Sequence, residues 1–140
     1  MLVVIGAGLG LGEAMEQSGL AAVVADTVLG AAGRSGPTML VAAVYALTWG
    51  LTSLLSNSEA AVLVFPIAWR AALAAGMPFE PFTIAIAIAA SCEFTTPIGY
   101  QTNLMVLGPG GYRVSDYIRF GGPLTVLCGI VTGAMLRLLF

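Results

Sequence analysis

Two polar stretches hold most of the groups in this 140-residue chain that could do chemistry. The first, Ser56-Asn57-Ser58, sets two hydroxyls and an amide between two apolar runs. Those side chains, with the exposed N–H groups of a helix starting there, could hold an anion. The amide oxygen and nearby carbonyls could hold a sodium ion, a hard cation that prefers oxygen ligands. The second stretch places Thr95, Thr96, Gln101, Thr102 and Asn103 around a Pro-Gly break. Both have plainer readings. Ser56-x-x-Glu59 fits a capping box, although a capped helix end is also an anion site. Glu59 either turns its carboxylate back to the Ser56 N–H or faces the anion cavity. Thr95–Asn103 could be a polar loop outside a membrane.

Other chemistries are removed by what the chain lacks. It has no histidine, and its five basic residues are all arginine. His-ligated zinc, Ser-His-Asp catalysis and Schiff-base catalysis are therefore excluded, and the chain is not expected to be an enzyme. Cys92 and Cys128 have neither metal-ligand spacing nor the density of a disulfide framework, and are expected to pack as small hydrophobes. Seven acids bring the net charge to −2, so no basic stripe is available for nucleic acid.

The elements that must position these groups are unusually apolar. Apolar residues make up 59% and charged residues 9%, with a mean hydropathy of +0.98. A soluble domain carries ~25% charged residues. The expected solvent is a bilayer, and at ~20 residues per crossing the length allows about five or six spans. Residues 1–30 are expected to be helical, and 30–37 a turn. A spanning helix is expected over 38–55. The run from Ala60 to Trp69 meets Arg70 too soon to cross, so 50–75 reads as a re-entrant hairpin with its tip at 56–59. Phe82–Cys92 and Leu104–Leu107 are short halves of a broken helix over 82–107. Ser115 is a candidate N-cap for a last helix over 116–138, with Asp116 favouring the positive end of its dipole. Trp49, Trp69, Tyr112 and Tyr117 suit interface anchors. Glu59 and Glu93 are costly in lipid, so each marks a functional site or an interface.

Unwound backbone in hydrocarbon survives only where it lines a cavity or is buried in protein. Transporters use discontinuous helices to bind ions and substrates near the midplane. The fold class expected is an all-α membrane protein: transmembrane helices with one re-entrant hairpin and one broken helix. A dinucleotide-binding enzyme is the weakest alternative. Gly6-Ala7-Gly8-Leu9-Gly10-Leu11 has leucine where G-x-G-x-x-G needs its last glycine, and glycines that let membrane helices approach closely account for it better. Met1 opens directly into Leu2-Val3-Val4-Ile5 without a basic n-region. That reads as a chain beginning inside a membrane segment, so a fragment or a truncated reading frame is expected.

Several motifs together resemble the second half of the divalent anion:sodium symporter family, the solute carrier family 13-like permeases of the ion transporter superfamily. They are the Gly-rich opening, Glu16-Gln17-Ser18-Gly19-Leu20-Ala21, Ser56-Asn57-Ser58 with Pro66-Ile67, and Ala90-Ser91-Cys92. Most specific is Thr96-Pro97-Ile98-Gly99-Tyr100-Gln101-Thr102-Asn103 followed by Gly108-Pro109-Gly110-Gly111-Tyr112. The resemblance implies half of an inverted-repeat transporter, a single transport-domain fragment over 1–140. In that family each repeat supplies a hairpin tip and a broken helix, and sodium and a dicarboxylate or sulfate bind where the tips meet.

Carried over by position, Ser56, Asn57, Ser58, Tyr100 and Gln101 would face the anion. Thr52, Asn57, Gly99 and Gln101 would hold a sodium ion, the coupling ion, with no other metal or cofactor. Two residues depart from the family pattern: Ser58 stands where threonine is usual, and Glu59 where a small neutral residue is usual. The implied function is sodium-coupled import of sulfate or a dicarboxylate by a multi-pass protein of the cell (inner) membrane. The partners implied are the first half of the transporter and, for the intact protein, a second copy in a homodimer. A small non-transporting membrane protein or inactive remnant is the alternative.

Overall fold

A computed structural model describes residues 36–97 and 101–139, with scattered positions between Gly6 and Gly30. From Gly36 onward it delimits α1 (Pro37–Thr52), α2 (Asn57–Ala75), α3 (Glu80–Ser91), α4 (Gln101–Leu107) and α5 (Val114–Leu139). The described residues hold no strand, so the all-α expectation is borne out. Gly6, Gly10 and Ala14 are helical positions, but most of the Gly-rich opening and of the helical segments expected over 1–30 lies outside the described residues.

Local chemistry explains where the helices start and stop. Gly36 takes φ +103°, a conformation open to glycine, and Pro37 then starts α1 with its preset φ. α1 has 16 residues and ends at Thr52 rather than Leu55, because the Thr52 and Ser53 side chains bond to other parts of the chain. Its ~24 Å length falls short of a ~30 Å hydrocarbon core. α2 runs 19 residues straight through Arg70. Arg70 is exposed and does not end the helix, since a long arginine stem can lie along apolar surface with its head in water. A Schellman turn closes α2: Met77 N–H donates to the Ala72 carbonyl at 3.0 Å and Gly76 sits at φ +64°.

Two expectations about helix starts are corrected. Gln101, Thr102 and Asn103 are helical, within α4, and are not in the break. α5 begins at Val114, and Asp116 Oδ2 accepts the Arg113 N–H at 2.8 Å. The cap position is therefore Arg113, and Ser115 is the second helical residue. Asp116 wins because its carboxylate reaches back to an orphan N–H while adding negative charge to the first turn.

α1, α2 and α3 pack into the core. Leu40, Val44, Val64 and Phe82 are fully enclosed. Ala60, Ala68 and Ala72 of α2 and Ala85 and Ala89 of α3 recur at helical spacing on the buried faces, which lets backbones approach closely without a polar seam. α5 lies against α1 and α3. The outer faces are apolar too: Phe65 and Leu73 of α2 and Phe120, Ile130 and Met135 of α5 are exposed. α2 and α5 are long and apolar enough to cross a bilayer, with mean hydropathies of 1.4 and 1.6 over an 18-residue stretch of each. Apolar exposure on this scale suits lipid rather than water. Of the four expected anchors, Trp69 and Tyr112 are exposed, whereas Tyr117 donates to the Asn103 carbonyl and the Trp49 indole nitrogen is buried.

Candidate ion and anion site

The tip between α1 and α2 is built by its own side chains. Ser56 is extended and caps α2; its backbone N–H donates to Glu59 Oε2 at 3.0 Å, and its Oγ accepts the Glu59 N–H at 3.5 Å. This is the capping box, so Glu59 turns back along the tip. Asn57 and Ser58 are the first two helical residues, and N–H groups at those positions have no acceptor within the helix. Ser56 and Ser58 are exposed and Asn57 is half-buried. The tip thus presents hydroxyls, backbone N–H groups and the positive end of a helix dipole in one place.

Beneath the tip three oxygens converge. Thr52, fully buried at the end of α1, has its Oγ1 3.2 Å from Asn57 Oδ1 and 3.2 Å from the Ala90 carbonyl. A hydroxyl carries one proton, which serves these two acceptors in turn. The donor set consists of neutral, hard oxygens, and it lies where α1 and α3 both end. Helix C-termini are partly negative and favour a cation, while the α2 N-terminus beside them favours an anion. The arrangement suits a cation and an anion bound next to one another.

The break after α3 is organised by Glu93, which is 3% exposed. Its Oε1 accepts the N–H groups of Thr95 and Thr96 at 2.9 and 2.8 Å and the Thr95 hydroxyl. Its Oε2 accepts the Ser53 hydroxyl at 2.8 Å, whose single proton also serves the Trp49 carbonyl at 3.0 Å, and Thr96 Oγ1 donates to the Ser53 carbonyl at 3.2 Å. Thr125 of α5 donates to the Cys92 carbonyl at 3.3 Å, and Asn103 Nδ2 to the Thr96 carbonyl at 3.3 Å. Side chains thereby satisfy backbone groups that the broken helix leaves open. Gly121 brings α5 against the break so closely that a Cβ there would lie 1.8 Å from the Phe94 carbonyl oxygen.

Of the residues expected to bind, Ser56, Asn57, Ser58 and Thr52 come together. Gly99 and Tyr100 lie outside the described residues, as does the side chain of Gln101, whose backbone is helical. The Ala90 carbonyl was not foreseen, because every residue carries one and only a helix end marks it. Ser53 was not foreseen either, since its partner is 40 residues away. The Glu93-x-Thr95-Thr96 spacing was readable: a carboxylate accepts from the N–H groups two and three residues after it as an N-cap does.

The profile of the citrate transporter family matches residues 1–140. Among curated proteins, the chain is 47% identical over 94% of its length to a Chlamydomonas reinhardtii protein named "Putative sulfur deprivation response regulator". It is 42% identical over 93% of its length to an uncharacterized transporter of Synechocystis, and 35% identical over 94% to sodium/sulfate cotransporter 1 of Chlamydomonas reinhardtii. The chain spans only 23%, 21% and 15% of the length of these three relatives. No solved structure matches it.

Proposed function

This chain belongs to the citrate transporter family, and from that premise we propose that it forms the second inverted repeat of a secondary transporter importing a divalent anion with sodium. The observation that carries the reading is the convergence of Thr52 Oγ1, Asn57 Oδ1 and the Ala90 carbonyl directly under the α2 N-terminus. Sodium takes the three oxygens. The anion, sulfate or a dicarboxylate, takes the hydroxyls of Ser56 and Ser58 and the tip N–H groups, with Tyr100 and Gln101 as the further contacts that the family resemblance implies. Asn57 serves both, with its amide oxygen toward the cation and its N–H toward the anion. By the family resemblance, Gly99 and Gln101 are the remaining sodium ligands.

Bound sodium draws the ends of α1 and α3 onto the α2 tip and places positive charge beside the anion. Each ligand therefore strengthens the other, which is the linkage that coupled transport requires. The first repeat supplies a second tip and a second sodium site, and the intact protein is a homodimer with several crossings of the cell (inner) membrane. The hairpin and broken helix carry the ligands across in an elevator-like movement. Relatives named as sodium/sulfate cotransporters support the pairing of ion and substrate class.

The test is uptake of labelled sulfate and succinate by proteoliposomes containing the intact transporter, with sodium, potassium or a proton gradient outside. Saturable uptake of at least one anion only with sodium is expected. Equal uptake in potassium, or uptake driven by protons alone, would overturn the reading.

A further inference from the structure

Glu93 is the most deeply enclosed acid among the described residues, and the sodium and anion contacts above do not use it. A carboxylate out of water persists only with its oxygens well supplied by donors. Here four donors supply it: the Ser53 hydroxyl, the Thr95 hydroxyl, and the N–H groups of Thr95 and Thr96. Three of the donors fill Oε1 and the Ser53 hydroxyl meets Oε2, so the carboxylate is committed to the chain's own groups. Its partners join two separate parts of the chain. Ser53 donates to Glu93 through its hydroxyl and receives Thr96 Oγ1 on its carbonyl, giving two bonds in opposite senses between the hairpin root and the break.

The position of this bridge gives it a role. Ser53 directly follows Thr52, and Glu93 lies three residues past Ala90. The bridge thus holds the two backbone segments that carry the Thr52 hydroxyl and the Ala90 carbonyl. We propose that Glu93 is a positioning residue, a latch that keeps hairpin and broken helix in register so that the sodium ligands are preassembled and move together. The proposal rests on the sodium site described above. A carboxylate suits the latch because both of its oxygens accept, whereas an amide keeps one acceptor and would turn the Ser53 hydroxyl from donor to acceptor.

The experiment is the sodium dependence of anion uptake by the intact transporter, normalised to the amount in the membrane, for wild type, Glu93→Gln, Glu93→Ala, Ser53→Ala and the Ser53→Ala/Glu93→Ala double variant. Misplaced ligands should raise the half-saturating sodium concentration by about tenfold in Glu93→Ala and Ser53→Ala, with most of the maximal rate recovered at saturating sodium. Glu93→Gln, which keeps the shape and one acceptor, should shift less. The double variant should be no worse than Glu93→Ala, because both substitutions remove the same bridge. If Glu93→Ala does not reach the membrane, Glu93→Gln and Ser53→Ala decide the matter. Wild-type sodium curves in variants present at normal amounts would overturn the latch, as would full additivity of the two substitutions. Sodium-independent uptake by the wild type would instead overturn the functional reading, and the latch with it.

Discussion

Thr52, the last residue of α1, and Asn57, the first of α2, face each other across the tip with 3.2 Å between hydroxyl and amide oxygen. Thr52→Val keeps the volume and removes the hydroxyl, leaving Asn57 Oδ1 and the Ala90 carbonyl without their shared donor. A loss of about 1–3 kcal/mol of stability is expected. Thermal unfolding of the intact transporter checks it. Added sodium should raise the wild-type Tm and raise that of Thr52→Val much less.

Glu59 closes a capping box. Glu59→Gln retains an oxygen for the Ser56 N–H, so it should cost about 1 kcal/mol or less and leave transport nearly intact. Uptake by both forms at saturating sodium across a pH series checks this. A steep acid-activated profile in the wild type, lost in Glu59→Gln, would place Glu59 in the anion cavity instead.

Gly121 and Gly122 are neighbours on α5 with opposite surroundings. A Cβ at Gly121 meets the Phe94 backbone, while one at Gly122 meets nothing within 4 Å. Gly121→Ala should push α5 off the break and destabilise by about 1–3 kcal/mol. Gly122→Ala should be neutral or stabilising, as alanine is the better helix former. Thermal unfolding of the two variants, side by side, reads the difference.

The parts of the site written in local spacing were legible in the sequence. Ser56 and Glu59 are three residues apart and cap one helix, so their relationship needed nothing from elsewhere in the fold. Asp116 and Ser115 were both visible as capping residues, but choosing between them needed the position of the Arg113 N–H. Arg70 misled because charge was taken as the end of an apolar run, whereas an exposed arginine leaves helix geometry untouched. The pairing of Thr52 with Asn57 came from a family resemblance. The Ala90 carbonyl and the Ser53–Glu93 bond belong to tertiary structure, since neither a backbone oxygen nor a partner 40 residues away leaves a pattern in composition or period.

Residues 1–140 expressed alone should enter membranes and carry nothing. The described residues supply one tip, and the proposed site needs two. Proteoliposomes holding only this chain should show no sodium-dependent uptake of sulfate or succinate, and such uptake would mean that one repeat suffices.

The claim on which the account turns is that Asn57 serves sodium and anion together. The direct measurement is the sodium activation curve of anion uptake by the intact transporter, in wild type and in Asn57→Ala present in the membrane at equal amounts. The expected result is saturable activation in the wild type and a flat, low curve in Asn57→Ala, with sodium dependence gone rather than anion affinity merely weakened. An unchanged sodium activation curve in Asn57→Ala would contradict the shared site.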